Sequence, residues 1–369
     1  MNQLFRWDQT GLFLLALAAG ILPFAVPEVC AAALREGLTL CSGPLLLSLF
    51  PFLVVSRLLI QCPESDLLAL PFRLAAWGIG IRTPCAARVL CIGFLGGFAP
   101  AASAAAQAVR TGQLTAEEAD ALLPACICSG PSFVVLTVGQ SLLGSAELGV
   151  LLFASQITAN YLTAALLNRF AGVRSVKPGS AVPAFPAPPR LDEILADAAI
   201  TYCKLCGFIL FFRMLAAGAG ALLPAGAGTL CAVLLEVCSG CDLASRTGRW
   251  GSLLCCAALS VQGFSVLLQV RTICPPEMTL RPLYRSRLLH LPLSLALFYL
   301  LLPGGEADVF STLPARVLLM RRVPPDCALL VFAVCCMAAC TLRSGIRQVE
   351  QKQMARNAGG CCINSKTLL

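Results

Sequence analysis

Apolar residues recur along the chain in runs of about 20, the length that an α-helix needs to cross a hydrocarbon core of about 30 Å. Short segments that carry most of the charged residues separate these runs. The clearest runs cover residues 11–33, 38–60, 146–167, 200–223 and 253–270. The pattern predicts an all-α fold, a polytopic helical membrane protein.

Glycine and proline interrupt several apolar runs near their middle. In lipid every backbone N–H and C=O must be paired, so such interruptions persist where the freed groups face a cavity or other protein. Secondary transporters build midplane solute sites from helices broken in this way. We therefore predict broken or re-entrant helices, with hinges or breaks at Pro51, Gly97, Pro100 and Pro131.

A short polar segment, residues 111–120, lies between two of the interrupted apolar stretches. Thr115 is a suitable helix N-cap, and Glu118 follows it at the spacing of a capping box. The segment is therefore predicted to be a turn followed by a helix start. Together with the flanking apolar stretches it predicts a helical hairpin.

The chain divides near its centre at a proline-rich stretch that cannot continue a helix. We assign residues 1–168 to an N-terminal membrane half, 169–193 to a linker, 194–342 to a C-terminal membrane half and 343–369 to a basic tail. Two halves of similar size indicate a repeated architecture.

Two short sequences occur in both halves. Among their occurrences, Cys-Ser-Gly stands at 128–130 and 238–240, and Gly-Phe stands at 97–98 and 263–264, each beside an interruption of an apolar run. Gly-Phe comes first in the N-terminal half and second in the C-terminal half. The halves are therefore similar internally but do not form an aligned sequence repeat.

Composition and charge support the membrane assignment, because 58% of the residues are hydrophobic and only 12% are charged. The net charge of +8 is not a nucleic-acid signal, since the basic residues lie between and after the apolar runs. The segment 343–369 has five basic residues and one acidic residue, which predicts a cytoplasmic C-terminus.

Most of the 21 cysteines lie inside apolar runs, where cysteine behaves as a small hydrophobic residue. Two Cys-x-x-Cys sequences, at 203–206 and 238–241, are too far apart for a zinc-ribbon pattern. We expect neither a metal nor another cofactor. No enzyme is expected either, because the sequence has no phosphate-binding Gly-x-x-x-x-Gly-Lys loop and no Gly-x-Ser-x-Gly elbow, and His290 is its only histidine.

Polar residues near the breaks are the candidate binding residues. Glu236 lies in an apolar segment, where a carboxylate is a functional candidate by default, and Ser239 follows one turn later. Gln262, Ser265 and Gln269 have the spacing of one helix face. With Ser129, Gly130 and Ser132 they suit a small polar solute or ion, although such groups can also serve only to tie helices together.

Other polar residues stand inside the predicted spans. Gln156 and Asn160 lie one turn apart, and hydrogen bonding between helices is favoured over ligand binding for this pair. Lys204 either reaches out to the membrane interface or has a function.

A set of residues from the second apolar run to His290 carries a resemblance to a known family. They are Leu49-Phe50-Pro51-Phe52, Ser56, Gly96-Gly97-Phe98, Gly112, Glu118-Ala119, Ser129-Gly130-Pro131-Ser132-Phe133, Val138-Gly139, Glu236, Gly240, Gly263-Phe264-Ser265-Val266, Gln269, Tyr284, Arg287 and His290. At these residues the chain resembles the YlbJ-type sporulation integral membrane proteins, whose Gate domains are related to those of nucleoside transporters. The resemblance implies two Gate-like halves, with the first Gate-like segment at about 45–144, in a multi-pass protein of the bacterial cytoplasmic membrane.

Two functional hypotheses follow. The first is a transporter-like or channel-like protein that moves a small polar solute or ion during spore formation. The alternative is a non-transporting structural or assembly membrane protein of sporulation, favoured by Ile127 and Cys128 at positions where the family tends to carry asparagines. Expected partners are the lipid bilayer and either further copies of the chain or other sporulation membrane proteins, and no nucleic acid.

Overall fold

The computed structural model describes residues 9–62, 65–171 and 191–302, and within these ranges the regular structure is helical throughout. The prediction of an all-α polytopic membrane protein is confirmed. Most of the linker, the apolar run at 328–342 and the basic tail lie outside the described residues.

The N-terminal half contains α1 to α9 and one π-helix. Their bounds are α1 Gln9–Ala25, α2 Pro27–Ser42, α3 Pro44–Gln61, α4 Ser65–Leu68, α5 Leu70–Gly78, α6 Pro84–Gly96, α7 Phe98–Arg110, α8 Ala116–Cys126, the π-helix Ser132–Leu142 and α9 Ala146–Ala171. The described part of the C-terminal half, which ends at residue 302, contains six α-helices and a short 3₁₀ turn at Gly248–Trp250. These helices are α10 Leu191–Leu222, α11 Ala225–Leu235, α12 Val237–Ser245, α13 Gly251–Val261, α14 Gly263–Ile273 and α15 Arg281–Leu301.

Four helical segments of the described chain are long and apolar enough to cross a membrane: Pro27–Ile60, Ala146–Ala171, Leu191–Leu222 and Gly248–Ile273. Large apolar side chains also point outward on the helices, as at Phe24, which is 89% exposed. Such a surface is stable against lipid tails and unfavourable in water. These features identify a membrane protein.

The hairpin predicted around the polar segment is present. α7 ends at Arg110, and α8 begins after Thr115. The Thr115 hydroxyl accepts the backbone N–H of Glu118 at 3.1 Å, and the Glu118 carboxylate accepts the backbone N–H of Thr115 at 3.2 Å. The predicted capping box is confirmed, and the chain reverses direction there.

Eight short helices form four broken pairs in series: α6 with α7, α8 with the π-helix, α11 with α12, and α13 with α14. Each piece has between 9 and 13 residues. At about 1.5 Å per residue, an α-helix of that length covers roughly half of a hydrocarbon core of about 30 Å. From these lengths we expect each break to lie at about mid-membrane depth.

Two of the positions predicted as hinges or breaks, Pro51 and Pro100, lie within helices and do not interrupt them. Pro51 lies inside α3, which continues from Pro44 to Gln61, and Pro100 lies in the first turn of α7. The break between α6 and α7 is at Gly97, as predicted, with a left-handed φ of 81°. Pro131 comes directly before the π-helix, where its missing N–H is tolerated.

In each half, the left-handed glycine of one break packs against the backbone of the other break. A Cβ atom on Gly97 would lie 2.6 Å from the Gly130 nitrogen, and one on Gly263 would lie 3.0 Å from the Glu236 nitrogen. The similar short sequences of the two halves thus make the same kind of contact, although their order along the chain differs.

These contacts predict a graded response to alanine. Gly144 has a φ of 74° with open space around its Cβ position, so Gly144→Ala carries only the backbone penalty of about 1–2 kcal/mol. Gly97→Ala adds a clash with backbone and should lower the free energy of unfolding by more than about 3 kcal/mol. Gly263→Ala should fall between them. Unfolding of the full chain in detergent measures the free energy of unfolding of the three variants. Equal values would show that the two breaks of each half are not tightly packed against one another.

Candidate functional site

Glu236 forms the break between α11 and α12 and is the N-cap of α12. Its backbone is extended, with φ −151° and ψ 125°, and its side chain is 2% exposed. One carboxylate oxygen accepts the N–H of Cys238 at 2.8 Å. The other accepts the N–H of Ser239 at 2.7 Å and its hydroxyl at 2.9 Å. The carboxylate thereby satisfies donors that the break leaves unpaired.

No basic side chain of the described residues forms an ion pair with Glu236. The nearby Arg213 instead pairs with Glu36 on α2, at 2.7 Å. The partial positive charge at the N-terminus of α12 is the favourable electrostatic partner that the structure supplies to the carboxylate. Glu236 is thus a buried carboxyl group held by the donors at the start of α12.

The break between α13 and α14 is at Gln262, which corrects one prediction. Gln262 has a left-handed φ of 67°, so it precedes α14 and does not continue one helix face with Ser265 and Gln269. Its amide donates to the Leu259 carbonyl at 3.2 Å, which pairs a group that the break exposes. Ser265 and Gln269 do share a face, because the Gln269 amide donates to the Ser265 hydroxyl at 2.9 Å.

The Gln269 side chain has one unused acceptor. Its Nε2 is taken by Ser265, but no described residue donates to its Oε1, although the residue is only 1% exposed. A buried acceptor without a donor destabilises the protein by about 1–3 kcal/mol. Such a group is a candidate ligand contact.

In the N-terminal half, residues 127–131 separate α8 from the π-helix. Asn160 on α9 donates to the Ile127 carbonyl at 3.2 Å and so pairs one freed acceptor. Ser129 is buried, and Ser132 begins the π-helix. Helical turns of this wide form are rare and often occur at functional sites.

The breaks of the two halves meet at one cavity, which we call the central cavity. Its volume is about 50 Å³. We call the close contact between the two breaks of one half a crossing, formed by Gly97 with Gly130 and by Gly263 with Glu236. The cavity lies where these two crossings face α3 and α10. It is lined by Leu45, Leu49, Gly96, Phe98, Ser129, Gly130, Ser132, Phe133, Ile209, Glu236, Val237, Cys238, Val266 and Gln269.

Five of the eight predicted site residues line this cavity: Ser129, Gly130, Ser132, Glu236 and Gln269. The other three, Ser239, Gln262 and Ser265, lie behind the lining, and each hydrogen-bonds to a lining residue or to a nearby backbone carbonyl. The structure therefore places five of the predicted residues in the cavity lining, and the other three make hydrogen bonds to a lining residue or to the nearby backbone.

Sequence reasoning missed the apolar part of the lining. Leu45 and Leu49 come from α3 and Ile209 comes from α10, helices that carry no break at these positions. No sequence signal distinguishes an apolar cavity wall from ordinary core.

The cavity is richer in hydrogen-bond acceptors than in donors. The Glu236 carboxylate and the Gln269 carbonyl oxygen are acceptors, and the two serine hydroxyls can act in either role. The arrangement suits a ligand that carries hydrogen-bond donors or a positive charge. At about 30 Å³ for each water molecule, the present volume holds one or two waters, so the cavity is small.

A second group of polar side chains, distinct from those that line the central cavity, joins α9, α13 and α15 through hydrogen bonds. Gln156 donates to the Ser260 hydroxyl at 2.9 Å, and Arg287 donates to the Asn160 carbonyl oxygen at 3.1 Å. His290 contacts the Gln156 carbonyl at 3.2 Å. Interhelical hydrogen bonding, predicted for Gln156 and Asn160, is confirmed.

Asp120 joins the two halves through hydrogen bonds and was not among the residues predicted from the sequence. Its carboxylate accepts the N–H and hydroxyl of Thr279, at 2.8 and 2.7 Å, and the N–H of Leu280 at 3.1 Å. Leu280 has a left-handed φ of 57° directly before α15. The sequence signal for this contact was a carboxylate at the start of an apolar helical segment. The sequence could not show which residues it binds, because they lie 159 and 160 positions away.

No family model, curated protein or solved structure matches the chain. The resemblance to sporulation membrane proteins therefore stays a prediction. Function is inferred from the residues around the central cavity.

Removing the carboxylate should destabilise the protein more than removing an ordinary cap. Glu236→Ala leaves three buried donors without an acceptor and should lower the free energy of unfolding by about 2–4 kcal/mol. Thr115→Ala removes the partly exposed cap of α8 and should cost about 1 kcal/mol. Unfolding in detergent compares the two variants, and a smaller loss for Glu236→Ala would contradict a carboxylate fully engaged with backbone donors.

Proposed function

We propose that this protein moves a small polar solute or ion across a bacterial cytoplasmic membrane, by a path through the central cavity, and that it does so during spore formation. The sporulation role rests on the resemblance found in the sequence. The transport role rests on the site.

The observation that carries the proposal is the convergence of both halves on one cavity. Ser129 and Ser132 come from the N-terminal half, and Glu236 and Gln269 come from the C-terminal half. A cavity shared by two halves can change shape when one half moves against the other, which is how many secondary transporters expose a midplane site. A buried carboxylate with no ion-pair partner in the described chain, and an amide oxygen without a donor, are ready contacts for a passing solute.

A second cavity of about 170 Å³, the outer cavity, opens between the ends of α3, α7 and α14 and the first part of α10. An apolar cluster separates it from the central cavity. Leu205 and Ile273 contribute to this cluster and line the outer cavity, whereas Leu49 and Phe98 contribute to it and line the central cavity. Leu53 is fully buried within the cluster. The cluster is the barrier that a solute would have to pass.

One observation favours a second candidate function, the structural or assembly role. The central cavity holds only about 50 Å³, far below the roughly 300–1,000 Å³ of pockets for drug-sized ligands. In a transporter this small volume describes a closed conformation. In a scaffold it describes helices that are locked permanently.

Uptake into vesicles distinguishes the two functions. The purified full chain is reconstituted, and uptake of labelled nucleosides, amino acids, amines and monovalent cations is measured. Transport predicts saturable uptake of at least one solute that falls by more than about tenfold in Glu236→Gln and Gln269→Leu, because each removes an acceptor from the path.

The matched control is Glu147→Gln, which makes the same chemical change at an exposed carboxylate in the first turn of α9. It should leave uptake unchanged. If no solute enters the vesicles, and the Glu236 and Gln269 variants still block spore formation, the assembly role is supported and transport is rejected.

The barrier gives a separate prediction. Leu205→Ala removes a side chain that is 1% exposed from the apolar cluster and should raise the uptake rate several-fold, with a loss of about 2–5 kcal/mol in stability. Leu152→Ala truncates an equally buried leucine in the main core, away from both cavities. It should lower stability without raising uptake. An equal effect of both variants on uptake would show that the cluster between the cavities is not the barrier.

A further inference from the structure

The outer cavity combines a defined volume with an excess of positive charge. Three basic side chains, Arg57, Arg110 and Lys204, line it together with one carboxylate, Asp197. The bases come from three different helices, α3, α7 and α10, so their convergence is a property of the tertiary structure. Ser103, Thr201 and Thr272 add hydroxyl groups to the lining.

The single carboxylate is already engaged. Asp197 pairs with Arg57 at 2.5 Å and ties α10 to α3. Within the described ranges, no acceptor pairs with the side chains of Arg110 or Lys204. Arg110 and Lys204 are exposed, so the cavity carries about two positive charges that no carboxylate of the described residues pairs.

Arg57 also has one side-chain N–H donor without an acceptor. Its side chain is 12% exposed and its Nε has no acceptor among the described residues. A guanidinium with a free edge matches the oxygens of a phosphate, and a lysine ammonium nearby adds a compact positive charge. Donors with no acceptor of their own point to an anionic ligand.

The size of the cavity limits that ligand. About 170 Å³ corresponds to five or six water molecules at about 30 Å³ each. This volume accommodates a phosphate group but lies below the roughly 300 Å³ at which pockets for larger ligands begin. The remainder of any larger molecule would have to extend outside the cavity.

A structural explanation accounts for only part of the cluster. Arg110 lies in the last turn of α7, where a basic residue stabilises the helix dipole. Lys204 lies well inside α10, and Arg57 lies before the end of α3, so neither is placed by that effect alone.

We propose that the outer cavity binds a phosphate group through Arg57, Arg110 and Lys204. The group belongs either to the headgroup of an anionic lipid or to a free phosphate compound. Basic pockets between membrane helices bind anionic headgroups in this way, and Ile200, a lining residue, is 55% exposed at the outer surface of α10. The site does not depend on transport, because binding can be measured when no solute moves.

The test uses the purified full chain in two arms. In the first, sodium phosphate is titrated at constant ionic strength and thermal unfolding is followed. In the second, the protein is placed in nanodiscs of phosphatidylcholine with or without phosphatidylglycerol, and retained lipid is counted by native mass spectrometry. Each arm compares the native chain with Arg110→Gln/Lys204→Gln.

The control is Arg246→Gln/Arg249→Gln, which removes two charges near the start of α13, whereas the outer cavity lies at the end of α14. Saturable binding weakened by at least about tenfold in the first double variant, and unchanged in the control, supports the site. Binding only in the phosphate arm identifies a free phosphate compound, and binding only in the lipid arm identifies a headgroup. The absence of saturable binding in both arms, or equal weakening by both double variants, would overturn the proposal.

Discussion

The structure depends on pairing the backbone groups that four helix breaks release inside an apolar protein. In a membrane these groups cannot turn to bulk water, so each break needs a local partner. Asn160 pairs the Ile127 carbonyl, Glu236 accepts two backbone N–H groups of its own helix, and Gln262 donates to Leu259. At Gly97 helical hydrogen bonds continue on both sides, through its N–H to Gly93 and its carbonyl from Ala101. The polar residues at the breaks therefore have a structural role that does not depend on any function in binding.

The same requirement explains why the breaks lie against one another. Gly97 approaches Gly130 at a distance that leaves no room for a Cβ atom, and Gly263 approaches the backbone at Glu236 almost as closely. Close backbone contact excludes lipid from the freed polar groups, and the left-handed glycines supply the required change of direction. Two such crossings, one from each half, then leave a small, mainly apolar cavity between them, which a few polar groups of the breaks also line. Its acceptor-rich lining results from the capping of the breaks, to which Gln269 adds an unused oxygen.

Electrostatics differ sharply between the two cavities. The central cavity has a buried carboxylate and amide oxygen, whereas the outer cavity has three basic side chains and one paired carboxylate. An apolar cluster around Leu53 and Leu205 keeps the two apart. Under the proposed transport function, a solute that enters from the outer side meets positive charge first and hydrogen-bond acceptors afterwards.

The sequence by itself determined the membrane class, the all-α fold and the hairpin with its Thr115 cap, because apolar run length and capping are local properties. It also singled out five of the residues that line the central cavity, from polar groups beside interruptions of apolar runs. The tertiary structure alone decided the rest. Pro51 and Pro100 lie within helices, and Gln262 adopts the left-handed backbone at the break. The apolar walls of the central cavity and the basic cluster of the outer one come from helices far apart in the chain, as for Arg57 and Asp197, which are 140 positions apart. Packing between distant segments depends on shape and pairing across the whole fold, which no local pattern encodes.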